Sequence, residues 1–207
     1  MPAPEADVID TVVGIAPGSR LDLLRARRPE ARLNAQASHA ALFTPETPGD
    51  FTVQERFVLA RFIVGLHGPS ALADFYAARL KAAGASPELA AAIEAEITAG
   101  TTTGPYGHYP AGPLSAEDTS GPAYAVEPEA CGVIGARLAA GLEHAHMLVF
   151  HPRDAASPML QKLLDVGWSN TEIVTLSQLA AFLSFQVRVV SGLRTLAAQP
   201  QTGEASP

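Results

Sequence analysis

Phe51–Leu80, FTVQERFVLARFIVGLHGPSALADFYAARL, decides the fold. Thr52 and Glu55 stand in the S/T-x-x-E spacing of a capping box, where a hydroxyl and a carboxylate close the free N–H groups of a helix start. Phe57, Leu59, Phe62, Ile63 and Leu66 then recur at helical spacing. Gly68-Pro69 is expected to end that helix and open another, with proline in a first turn where its missing N–H costs nothing. The reading is a helix, a tight elbow and a second helix.

Helices are expected on both sides. Ala6 to Val13, Ser19 to Arg27 and Pro29 to Phe43 each read as a helix, separated by Gly14 and Pro17-Gly18. Arg20, Arg25, Arg27, Arg28 and Arg32 make this the most basic region. It reads either as a solvated helix face or as a patch for an anion or acidic partner. Ser86-Pro87-Glu88 opens a helix through Ile97. Pro128 opens a long one through Val149, and Ser157-Pro158 caps a short one closed by Gly167. Ser169 and Glu172 form a second capping box, opening a final helix from Asn170 to Leu196. Its apolar positions Ile173, Leu176, Leu179, Leu183, Val187, Val190 and Leu193 are widened by Phe182, Phe185 and Val189. A helix apolar on most sides is buried on most sides, which points to a subunit interface as well as a core. The expectation is one all-α domain over 1–197, with a disordered tail over 198–207.

The stretch 98–122, rich in Gly, Pro and Thr, is the exception. Irregular segments longer than about 12–15 residues are uncommon in compact domains and often form lids or binding loops. Tyr106, His108 and Tyr109 sit in its middle. They read as a lid over a pocket, as an arm onto a neighbouring subunit, or as plain surface loop.

Composition bounds the function. At 207 residues, with 47% hydrophobic and 17% charged side chains, the chain can bury a core and is not of disordered type. A formal charge of −7 argues against nucleic acid, whose phosphates need Lys and Arg. No uninterrupted apolar run reaches the roughly 20 residues that span a bilayer, and the start MPAPEADVID lacks the pattern of a signal peptide. A cytoplasmic location without membrane partners is expected. The single cysteine, Cys131, allows no disulfide and no dithiol pair within one chain.

Three further features could carry chemistry. Glu143-His144-Ala145-His146 is the densest polar cluster in an apolar helix. Glu143 and His146 share a face at i, i+3 and could act as an acid–base pair, the carboxylate orienting the imidazole. With His67 or His151 they could hold a metal; otherwise they are a polar face or a bonded core pair. Cys131 reads as a small buried hydrophobe or as a one-cysteine peroxidatic or sensor thiol. His67 at the elbow reads as pocket lining or as a cation at a helix C-terminus.

The hairpin 51–80 and the segment 160–193 resemble the alkylhydroperoxidase D-like / carboxymuconolactone decarboxylase family, in its peroxidase-related branch. In 160–193 the resemblance rests on Gly167-Trp168-Ser169, Phe182, Phe185 and Arg188, with Val187 where relatives commonly carry Asn. It implies an all-α fold, an oligomer-forming helical core, and a homodimer or a hexamer of dimers. It also implies an antioxidant oxidoreductase. The branch's Cys-x-x-Cys-x-x-x-His and its upstream Glu fall here on Pro69, Leu72, Tyr76 and Phe57, so the dithiol mechanism is excluded within one subunit. Tyr76, in the place of the relay histidine, could donate a hydrogen bond. By resemblance the alternatives are a thiol-independent enzyme acting on small carboxylates or lactones, or a non-catalytic ligand-binding oligomer. No cofactor or resident metal is implied.

Overall fold

The computed structural model describes residues 6–199. Among them are ten α-helices and no strand: α1 Val8–Val13, α2 Arg20–Ala26, α3 Pro29–Phe43, α4 Val53–Leu66, α5 Ala71–Ala82, α6 Pro87–Gly100, α7 Pro128–Ile134, α8 Ala136–Phe150, α9 Ser157–Asp165 and α10 Asn170–Ala198. Short 3₁₀ turns cover Pro113–Glu117 and Pro152–Asp154. The expected all-α class holds.

Helix α4 is the hub and packs against α3, α5, α6, α8 and α10. Val58, Leu59, Ala60, Phe62, Ile63 and Val64 are fully buried, more than one apolar stripe, because α4 is enclosed by helices on several sides. Both capping boxes form. The Thr52 and Ser169 hydroxyls accept from the N–H groups of Glu55 and Glu172, whose carboxylates accept the cap N–H groups in return. Arg137 then ties the two helix starts together, pairing with Glu55 and Glu172 at once. Its guanidinium lies 4.2 Å over the Trp168 ring, and its carbonyl accepts the indole N–H at 2.8 Å.

Several boundaries move. The helix expected from Pro128 to Val149 is broken at Gly135, whose φ of +84° favours glycine and turns α7 away from α8. Pro69 lies outside α5; Ser70 is the cap and accepts from the Ala73 N–H at 3.1 Å. Ala156, not Ser157, occupies the cap position of α9, with no side-chain bond there. Helix α6 continues to Gly100 and α10 to Ala198, past the expected ends. Of the tail, 200–207 lie outside the described residues.

Two arginines of the basic region are neutralised by nearby carboxylates. Arg25 pairs with Asp7 and Asp10, and Arg32 with Asp10 and Asp22. That favours a structural ion cluster over an anion patch at these two positions.

Helix α10 is long and apolar enough, by length and composition, to cross a membrane, with a mean hydropathy of 1.6 over its best window. Scattered Ser, Thr and Gln interrupt the apolar run, but the mean stays high. In the fold α10 packs against α1, α3, α4, α8 and α9, and it buries Gln186 completely. Within that window 39% is buried in the fold.

Candidate functional site

Helix α8 forms one wall of a cavity of about 370 Å³, within the usual range for small-molecule sites. It contributes Ala140, Glu143, His144, His146 and Met147. Helix α9 closes the cavity with Met159, Lys162 and Leu163. Gly121, Ala123, Tyr124, His151 and Asp154 complete it.

His146 is 3% exposed, and its Nε2 lies 2.9 Å from the Gly100 carbonyl. A carbonyl only accepts, so Nε2 carries the hydrogen and the neutral ring keeps its lone pair on Nδ1. Desolvation, with His151 nearby, lowers the His146 pKa and keeps the ring neutral. The Tyr124 ring stacks on His146 with centroids 4.5 Å apart. This close approach needs Gly100, where a Cβ would come within 3.2 Å of Tyr124 and 3.3 Å of His146. Tyr124 donates to Glu96 Oε2 at 2.7 Å, and burial together with that carboxylate pushes the phenol pKa up.

His144 is also buried, and desolvation lowers its pKa. The Ser177 hydroxyl gives its hydrogen to the Ile173 carbonyl at 2.8 Å, so His144 Nε2 donates to Ser177 Oγ at 3.4 Å. Its Nδ1 is buried without a partner. At the rim, Glu143 accepts the Val126 N–H at 3.2 Å and Lys162 Nζ at 2.8 Å. His151 Nδ1 faces Asp154 at 3.1 Å, and its Nε2 faces the Pro122 carbonyl at 3.1 Å.

The expected residues fare unequally. Glu143 and His146 both line the cavity, but they are not bonded to each other: the backbone carbonyl of Gly100 orients His146, and Glu143 serves Val126 and Lys162. Tyr76 does not line this cavity. It is fully buried and donates to Gln186 Oε1 at 2.7 Å, between Phe43 and Phe75. His67 is exposed and borders a separate groove with Thr101, Thr102, Thr103 and Arg188. Cys131 is half-buried on α7 and does not line the cavity; Arg137, the nearest following cation in sequence, is held by two glutamates. Among the described residues no group of three or more His, Cys, Asp or Glu side chains is placed to hold a metal.

Of the loop aromatics, Tyr106 bonds Thr102 and Thr103 through its hydroxyl and packs 5.1 Å from the His151 ring. His108 is exposed and gives its N–H to Asp154 at 3.1 Å. Tyr109 lies beneath the Arg153 guanidinium. The loop is fastened at Tyr106 N–H to the Phe150 carbonyl and by the pairing of Gly107 with Thr119. It therefore lies against the C-terminal end of α8, next to the cavity.

No protein-family model matches the chain, and no curated protein or solved structure matches it either.

Sequence reasoning missed Glu96, Tyr124, Asp154 and Lys162. Glu96 had a signal: it lies in the stripe Ile93, Glu96, Ile97, Gly100, where a carboxylate interrupts an apolar face. Tyr124, in an irregular segment, had none. A wider groove of about 1100 Å³ runs between α3 and α10. Its Arg56 already serves the carbonyls of Leu42, Pro48 and Phe51, and its Glu172 serves Ser169 and Arg137.

Proposed function

We propose that this protein binds a small, largely apolar molecule between α8 and α9 and moves a proton on it through His146, without thiol chemistry. The observation that carries the reading is the buried His146 ring, neutral and with its tautomer fixed by the Gly100 carbonyl, in the wall of a partly open cavity. A neutral base with a defined lone pair is what proton abstraction requires. The reading belongs to the thiol-independent side of the resemblance to the alkylhydroperoxidase D-like / carboxymuconolactone decarboxylase family. The peroxidase-related, antioxidant alternative would rest on Cys131, which lies outside the cavity. A cytoplasmic homo-oligomer is part of the same proposal. Val174 and Phe185, 57% and 45% exposed on α10, support an apolar contact between copies.

The test is a thermal-shift screen of small molecules, beside hydroperoxide consumption with a thiol reductant, on the wild type, Cys131→Ser and His146→Gln. Ligand-dependent stabilisation that survives Cys131→Ser, with proton transfer lost in His146→Gln, is the expected result. Saturable hydroperoxide turnover abolished by Cys131→Ser would replace the proposal with a one-cysteine peroxidase.

A further inference from the structure

The side-chain hydrogens around the cavity are nearly all committed. Tyr124 has one, and it goes to Glu96. His144 and His146 each carry one, on Nε2, which go to Ser177 and Gly100. Both nitrogens of His151 are occupied, by Asp154 and the Pro122 carbonyl. Lys162 has hydrogens to spare, but it is 68% exposed at the rim, paired with Glu143 and otherwise facing water.

Lone pairs are what remain. An ionised carboxylate has about four acceptor sites. Glu143 and Asp154 are each seen accepting two hydrogen bonds. Nδ1 of His146 is a further acceptor. Glu143 and Asp154 place two carboxylates in the wall, faced by Lys162 and His151. The rest of the lining is apolar: Ala123, Ala140, Met147, Met159 and Leu163.

Resting on the cavity being the binding site, we propose that its ligand is a small apolar amine, its ammonium group received by Glu143, Asp154 and His146 and its hydrocarbon body by the alanine, methionine and leucine wall. A carboxylate or lactone brings only acceptors. It would set lone pair against lone pair at Glu143, Asp154 and His146, with Lys162 at the rim as its one side-chain donor to spare.

The experiment compares benzylamine, benzoate and toluene at pH 7.5, one ring carrying an ammonium, a carboxylate or a methyl group. Calorimetry and thermal shift are run on the wild-type chain, with the imidazole proton signals of His144 and His146 followed by NMR. Benzylamine should bind at least about tenfold more tightly than benzoate, shift the His146 signals, and lose affinity in Glu143→Gln while toluene does not. Filling the cavity with Ala140→Leu should remove the benzylamine response; if that variant does not fold, the wild-type histidine signals still locate the ligand. Benzoate binding as tightly as benzylamine overturns the amine proposal. So does toluene binding as tightly as benzylamine, and in either case the cavity itself stands as a site. Benzylamine binding without perturbing either histidine overturns the placement. If none of the three stabilises the protein, both the amine proposal and the cavity reading fail.

Discussion

Tyr76 and Gln186 offer a quantitative test of which polar groups belong to the core and which to the site. The two residues join α5 to α10 through one buried bond of 2.7 Å. Both are fully buried, and Gln186 Nε2 already lacks a partner. Tyr76→Phe keeps the ring packing against Phe43 and Phe75 but strips Gln186 of its only side-chain bond. Leaving a buried amide oxygen unpaired costs about 1–3 kcal/mol. A loss of about 2 kcal/mol corresponds to roughly 4–8 °C in a chain of this size. Gln186→Leu strands the Tyr76 hydroxyl at similar cost, but it removes the unpaired Nε2 and adds apolar contact, so its net loss is smaller. The double variant Tyr76→Phe/Gln186→Leu leaves no unpaired group and is expected within about 1 kcal/mol of wild type, well short of the summed single losses. Urea unfolding of all four proteins at pH 7 reads the cycle. The benzylamine response, measured alongside, should be unchanged by Tyr76→Phe. Additive losses, or a Tyr76→Phe variant that is fully stable but no longer binds ligand, would refute the assignment and return Tyr76 to the site.

His39 should dominate the acid limb of stability. It is 3% exposed among Phe43, Phe75 and Phe182, and neither ring nitrogen has a partner. Desolvation, with Arg79 nearby, lowers its pKa from 6.5 to about 4. Between those values the unfolded chain takes up a proton that the folded chain refuses, so stability falls as pH drops from 6.5 towards 4. His39→Phe should flatten that slope in equilibrium unfolding; an unchanged slope would place the titration elsewhere. Asp154 and Glu172, whose pKa values are lowered from 3.8 and 4.5, begin to give up their stabilisation only near those values, at the acid end of this window. Gly65→Ala tests the α4–α6 contact. The new Cβ would lie 2.6 Å from Ile97 Cδ1 and 2.9 Å from its Cγ1. Overpacking of about 1–3 kcal/mol outweighs a helix-propensity gain of about 1 kcal/mol. Thermal unfolding should show a net loss that Ile97→Val partly relieves, and a stabilised Gly65→Ala would disprove the tight contact.

Short-range signals were well written in the sequence. Thr52–Glu55 and Ser169–Glu172 close their own helix ends through atoms three residues apart, so their chemistry needs no tertiary partner. The apolar spacing of 51–80 marked out the two helices α4 and α5 for the same reason, whereas the place of α4 as the hub comes from its packing against five other helices. Boundaries slipped where one residue's backbone conformation mattered, as at Gly135 and Ser70.

The site was only half legible. Glu143, His144 and His146 stood out as polar residues in an apolar helix, and they do line the cavity. Their roles did not follow from adjacency. The partner of His146 is a backbone carbonyl 46 residues away, that of His144 is Ser177, and that of Glu143 is Lys162 on the next helix. Tyr76 and Tyr124 are the same residue type with opposite fates, one sealed between α5 and α10, the other stacked on a histidine at a cavity wall. Composition and periodicity determine which segments become helices and which faces are apolar, because those depend on atoms a few residues apart. Which lone pairs and hydrogens are left unspent around a cavity is decided only when distant backbone and side chains are brought together, and that remainder sets the chemistry of the ligand.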